Sequence, residues 1–248
     1  MSLHSSCIKR IIVSLLTIAC ALALVSVASA QRRRVTLGSR SAVVVDERLA
    51  ALRDGPDPSA QLLHRLSRGR VVLVLGAKRN ADGLTFYRVA VTRRTGGWLQ
   101  SEAVVSPARA EDDERLLRLI RASEDFDRIA RARIFLDLFP RSPARPAVLL
   151  IYAEAAEAAA ARLSRDAARR LDEREMSANG APVFSYFLSY NGLDRYRRQG
   201  ITYTFNRASK QFHYDGEGWR EILRRYPRSP EAAEARRRLE MLSGVVTK

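Results

Sequence analysis

The sequence predicts an α+β multidomain chain: a small antiparallel β-barrel, then an α-helical, repeat-like domain carrying a short β-hairpin insert. Three observations predict it. Two β-branched runs, residues 70–76 and 84–92, are bounded by turn residues, as the strands of a small barrel are. From Glu111 onward apolar residues recur every three or four positions, the spacing of an amphipathic helix. Within that helical stretch Ile201, Tyr203 and Phe205 alternate with Thr202, Thr204 and Asn206, a strand period that interrupts it.

Residues 1–30 read as a secretory signal segment. Lys9-Arg10 give a positive start, residues 11–27 an apolar core, and Ala28-Ser29-Ala30 an A-x-A cleavage pattern that sets the mature start at Gln31. The stretch also fits an uncleaved membrane anchor, because its apolar core is long and Arg32-Arg33-Arg34 beyond it oppose export. Lipid attachment at Cys20 is disfavoured by the apolar run continuing past it. Cys7 and Cys20 both fall in this segment, so the rest of the chain holds no disulfide, thiol nucleophile or thiolate metal site. A basic linker, residues 31–41, follows.

Residues 42–106 make the barrel. Val43-Val44-Val45 begin a first strand, residues 54–59 a proline-containing loop, and residues 61–66 a short strand holding His64. After the tight turn Arg68-Gly69, Val72, Val74 and Gly76 alternate with Val71, Leu73 and Leu75, which predicts a strand buried on both faces. Asn80-Ala81-Asp82-Gly83 turns into the next strand, with Phe86, Arg88 and Ala90 on a mixed face and Tyr87, Val89 and Val91 on an apolar one. Thr95-Gly96-Gly97 turns again, and residues 101–105 close the barrel. The order Leu52-Arg53-x-Gly55-Pro56, Leu66-x-x-Gly69, Val72-x-Val74-Leu75, Phe86-Tyr87-Arg88-Val89 and Gly97-Trp98-Leu99 resembles the bacterial SH3-like (SH3b) domain. The resemblance covers residues 43–106, about a quarter of the chain. It implies an SH3-like barrel acting as a binding module, often at the cell wall, with no chemistry of its own. Tyr87 and Trp98 then read either as packed residues or as ligand contacts.

The helical domain spans residues 110–248. Glu111-Asp112-Asp113-Glu114 place four acids in a first turn, where they complement the helix dipole. Ser123 is the candidate N-cap of a second helix, whose stripe is Phe126, Ile129, Ala132, Leu136 and Phe139. Pro140 stops it, Ser142-Pro143 restarts, and an alanine-rich third helix runs from Pro146 to about Met176. Phe139-Pro140-Arg141-Ser142-Pro143 recurs as Tyr226-Pro227-Arg228-Ser229-Pro230, 226 − 139 = 87 residues later. This junction resembles that of tetratricopeptide-like repeats, which implies a domain for protein contacts. Between the echoes, residues 184–198 are aromatic-rich and read as helical. Residues 201–214 then form a hairpin, with Tyr203 and Phe205 packing on the helix of Trp219 and His213 outward.

The formal charge of +16 invites a nucleic-acid reading. Against it, only four of 43 basic residues are lysine, and residues 107–248 interleave 27 basic with 21 acidic groups. Attraction to anionic cell-wall polymers or lipid head groups fits an exported cation better. No G-x-S-x-G, G-x-G-x-x-G or P-loop occurs, and neither His64 nor His213 has metal-ligand spacing. Asp194, Asp215, Glu217 and Glu221 could pair as catalytic carboxylates, but caps and first-turn acids explain Asp215, Glu217 and Glu221. No catalytic residue, metal or cofactor is therefore expected. The aromatic cluster from Phe184 to Trp219 reads as core or as a recognition groove. Candidate ligand-binding residues are Tyr87, Trp98, Tyr203 and His213. The expected protein is exported, periplasmic or extracellular, and non-enzymatic, a binder or scaffold. Its partners would be a cell-wall peptide or an envelope protein, with no nucleic acid and membrane contact only through an uncleaved N-terminal segment. The alternatives are a peptidoglycan-directed hydrolase or its regulatory subunit, with chemistry around His213 and Asp215, and a nucleic-acid binder.

Overall fold

Short strands form wherever the alternating runs meet turn residues. The computed structural model describes residues 38–246; the signal segment and residues 31–37 of the linker lie outside them. The strands are β1 (Ser41–Val44), β2 (Ala51–Arg53), β3 (Leu62–Arg65), β4 (Val71–Arg79), β5 (Thr85–Ala90), β6 (Gly96–Gln100) and β7 (Val104–Val105). They build one antiparallel sheet in the order β3-β2-β6-β5-β4-β1-β7. Gly69 and Gly83 hold φ of 82° and 81° in the turns before β4 and β5, which a side chain would strain. Val44, Leu52, Val72, Val89, Leu99 and Val104 meet in one core. Strands far apart in the order share that interior, so the sheet curls over it.

On β4 the structure corrects the expectation of a strand buried on both faces. Val72 is buried, but Leu73 and Leu75 are 42% and 53% exposed on the outer face. An apolar run alone does not distinguish a strand covered on both sides from one with an open outer face.

The helices are α1 (Asp112–Arg121), α2 (Asp125–Leu138), α3 (Arg145–Arg170), α4 (Glu173–Ala178), α5 (Val183–Leu188) and α6 (Asp194–Arg198). The hairpin β8 (Tyr203–Asn206) and β9 (Gln211–Tyr214) follows, then α7 (Glu217–Arg225) and α8 (Glu231–Val246). Ile129, Ala132, Leu136 and Phe139 of the predicted stripe are buried, with Phe126 packed at their edge. Against them α3 presents Ala153, Ala156, Ala159 and Ala160, whose small side chains let α2, α7 and the hairpin come close. The third helix ends sooner than expected. Leu171 is extended, and Asp172 caps α4 by accepting from the Arg174 N–H at 2.8 Å. Residues 184–198 are likewise broken into α5, a 3-10 turn and α6 rather than one helix.

The sequence echo is also an echo of backbone geometry. Phe139 N–H bonds Phe135 O at 2.9 Å, and Tyr226 N–H bonds Ile222 O at 2.7 Å. Ser142 N–H reaches Phe139 O and Ser229 N–H reaches Tyr226 O, at 3.3 and 3.0 Å. Arg145 N–H to Ser142 O and Ala232 N–H to Ser229 O repeat the third bond, at 3.2 and 3.1 Å. The α2–α3 and α7–α8 pairs are then joined by contact between α3 and α7.

Sheet and helices, within the described residues, belong to one compact unit. Val45 and Val105, at the sheet end, pack into the helical core with Leu116 and Ile120. Arg131 on α2 is 5% exposed; its Nε donates to Val45 O at 3.0 Å and its Nη1 to Ser123 Oγ at 2.7 Å. Arg68 clasps Asp127 of α2 through two bonds of 2.8 and 3.0 Å. Asp112 lies in the first turn of α1 as expected, and there it is a buried acceptor for the Ser106 N–H at 2.8 Å. One expectation is corrected here. Ser123 does not cap α2; it ends α1, donating to Leu119 O at 2.5 Å, and Glu124 stands at the cap position. Among the described residues no helix is long and apolar enough to cross a membrane.

Candidate functional site

Period-two geometry places Tyr87 and Trp98 on opposite faces of the sheet. Tyr87 pairs with Leu99, which lies in the core, whereas Trp98 pairs with Arg88 on one side and Arg53 on the other. Trp98, half-buried, therefore borders the outer face. It lines an open groove of about 470 Å³ with Leu63, Leu75, Asp54, Arg88, Arg93 and Arg94. Two irregularities shape the floor. The register shift between Val74 and Gly76 on β4 falls at Leu75, and the shift on β2–β3 leaves Leu62 and Leu63 both exposed.

The rim is positively charged. Arg88, Arg93 and Arg94 are exposed and enter no ion pair among the described residues. On the helices, by contrast, Arg133, Arg145, Arg197, Arg220 and Arg238 all reach a carboxylate. Among the described residues Asp54 is the only carboxylate lining the groove. An apolar floor under unneutralised guanidinium groups suits a ligand that combines an apolar part with negative charge.

The other three candidate residues lie elsewhere. Tyr87 borders a separate cavity of about 410 Å³ with Val74, Ala77 and Ala108, and the Arg109 guanidinium stands 5.3 Å from its ring centre. Tyr203 packs inward: its hydroxyl donates to Ala156 O at 3.1 Å, its ring meets Tyr196 edge-on, and burial pushes its phenol well above the usual range. His213 pairs with Thr204 on the opposite hairpin face, half-buried, with Nε2 buried and unpartnered.

The hairpin lies chiefly on α3 and not, as expected, on the helix of Trp219 alone. Phe212 N–H donates to Ser164 Oγ at 2.8 Å and Tyr214 N–H to Glu157 at 3.2 Å; Tyr214 then touches Trp219 edge-on at 5.4 Å. Much of the aromatic cluster, including Phe187, Tyr190, Tyr196, Phe212, Tyr214 and Trp219, is core.

Compared with family models, curated proteins and solved structures, the chain matches none. The carboxylates near the hairpin are engaged: Asp194 with Arg197, Glu217 with Arg220 and Arg224, Glu221 with Arg145. Asp215 accepts from the Glu217 N–H at 3.0 Å, and burial raises its carboxyl above the usual range. Among the described residues, no three His, Cys, Asp or Glu side chains gather as metal ligands. Of the expected ligand-binding residues, Trp98 alone lines this groove; Leu63, Leu75 and the three arginines were not among them. The signal was present: Arg93-Arg94 adjoin a turn, with no acidic residue from 83 to 101.

Proposed function

We propose that this chain is an exported, non-enzymatic binding or scaffold protein. An SH3-like module would hold an envelope or peptide ligand at the Trp98 groove, and a tetratricopeptide-like helical part would make protein contacts. One observation carries this reading: three unpaired arginines surround a half-exposed tryptophan over a leucine floor. Tryptophan and arginine are the residue types in which binding energy concentrates. The curled antiparallel sheet and the repeated helix junction fit the two resemblances.

Co-sedimentation of the purified protein with isolated cell-envelope fragments tests the proposal. Trp98→Ala should lower retention about tenfold or more, as loss of a central aromatic anchor does, with an unchanged melting temperature. Retention that ignores the substitution would show that the groove is not the binding site.

A further inference from the structure

The sheet ends on an exposed strand. Among the described residues β3 has β2 on one side and no strand on the other, and all four of its residues are exposed. Natural sheet edges are ordinarily blunted by charge, proline or a cover, because their free N–H and C=O groups template another strand. Here the strand is short, bulged at Leu63 and ends on the exposed Arg65, yet Leu62 and Leu63 still stand 43% and 40% exposed along it. Leu63 also lines the groove with Leu75 and Trp98, so the open edge and the groove are one continuous surface.

We infer that this surface takes an extended acidic peptide, which adds as a further strand to β3 and sends alternate side chains across Leu63 toward Leu75 and Trp98. This rests on the binding role proposed for the groove and names the class of its ligand. Main-chain pairing supplies affinity and the two-residue period supplies selectivity. Carboxylates on the peptide meet Arg88, Arg93 and Arg94, which lack partners within the described chain. A nucleic acid would use the arginines but not the strand edge, and a leucine floor with a single indole offers no run of stacking rings. A second copy of this chain would bring the same positive rim against itself.

The test titrates the purified protein with a synthetic peptide alternating aspartate and leucine, followed by tryptophan emission. Trp219 is only 1% exposed, so a change on binding reports Trp98. Two further peptides carry the same charges but are N-methylated at alternate amides, one in each frame. A strand pairing along one edge should lose about tenfold in affinity in one frame and little in the other. Arg93→Glu with Arg94→Glu should weaken the parent peptide by about tenfold, and an oligonucleotide of equal charge should bind more weakly than the peptide. Equal affinity in the two frames, or tighter binding of the oligonucleotide, would overturn strand addition. Should the double variant fail to fold, the methylated peptides still decide the matter on the unaltered protein. Envelope retention that depends on Trp98 without frame-dependent peptide binding would sink this inference and leave the groove's role standing. Retention indifferent to Trp98 would sink the role itself.

Discussion

Beside Trp98, the missing side chain of Gly97 lets β2 and β6 approach: a Cβ there would lie 2.5 Å from Arg53 O and 3.0 Å from Leu52 Cγ. Backbone does not yield as a flexible side chain does, so Gly97→Ala should destabilise by about 1–3 kcal/mol, the usual cost of overpacking. Urea unfolding measures the loss, and the emission of Trp98 should shift with it. Asp215 tests the opposite kind of cost. Burial disfavours its charged form and raises its pKa, so its contribution is most favourable below the ordinary carboxylate range and declines as pH rises through the raised value. Asp215→Asn keeps an oxygen for the Glu217 N–H and removes the charge. The variant should melt higher than the parent at neutral pH, and the difference should close at pH below the ordinary carboxylate range. Asp112 marks the limit of what single residues disclose. In Glu111-Asp112-Asp113-Glu114 four acids look alike; which one turns inward is decided by Ser106 and Arg115 meeting it from either side.

Among elements, the hairpin was the most legible. Its period of two, its aromatic face and its turn were all in the sequence, because strand alternation is local information. Its resting place was not, since α3 and α7 both offer apolar surface. The register pairs Phe205 with Phe212 and Thr204 with His213, so neighbouring positions on β9 should respond very differently. Phe212→Ala should cost about 3–5 kcal/mol, as for a fully buried ring. His213→Ala should stay within about 0.5 kcal/mol, because the buried Nε2 makes no bond that the change would lose. Chemical denaturation of the two variants side by side checks the register, and a large loss at His213 would shift it by one residue. The echoed junctions were legible because proline, serine and an aromatic punctuate a helix end by local rules. The end of α3 was less so: Asp172 is a cap signal, but alanine-rich helical spacing on either side masked it.

At the scale of the molecule, the seam between sheet and helices is fastened by Arg131, Arg68 and Asp112 and filled by Val45 and Val105. None of this was legible in the linking residues themselves, which contain few apolar side chains; the contacts come from positions distant in sequence. Arg131→Met removes the donors to Val45 O and Ser123 Oγ and leaves those buried acceptors short. It should cost about 2–4 kcal/mol, in the range for breaking charged buried hydrogen bonds. Circular dichroism and fluorescence should still report a single shared unfolding transition in the parent protein; two separate transitions would mean that the seam does not couple the parts. The cationic fasteners, Arg131 and Arg68, are guanidinium groups rather than amines, and this has a chemical consequence. Acylating reagents that seek lysine will pass the seam by, whereas a dicarbonyl such as phenylglyoxal attacks arginine wherever it can reach one. Arg131, almost wholly covered, becomes reachable only in molecules whose sheet has swung off α2. The pace at which that one side chain acquires an adduct, read by mass spectrometry, would therefore clock the parting of the two halves.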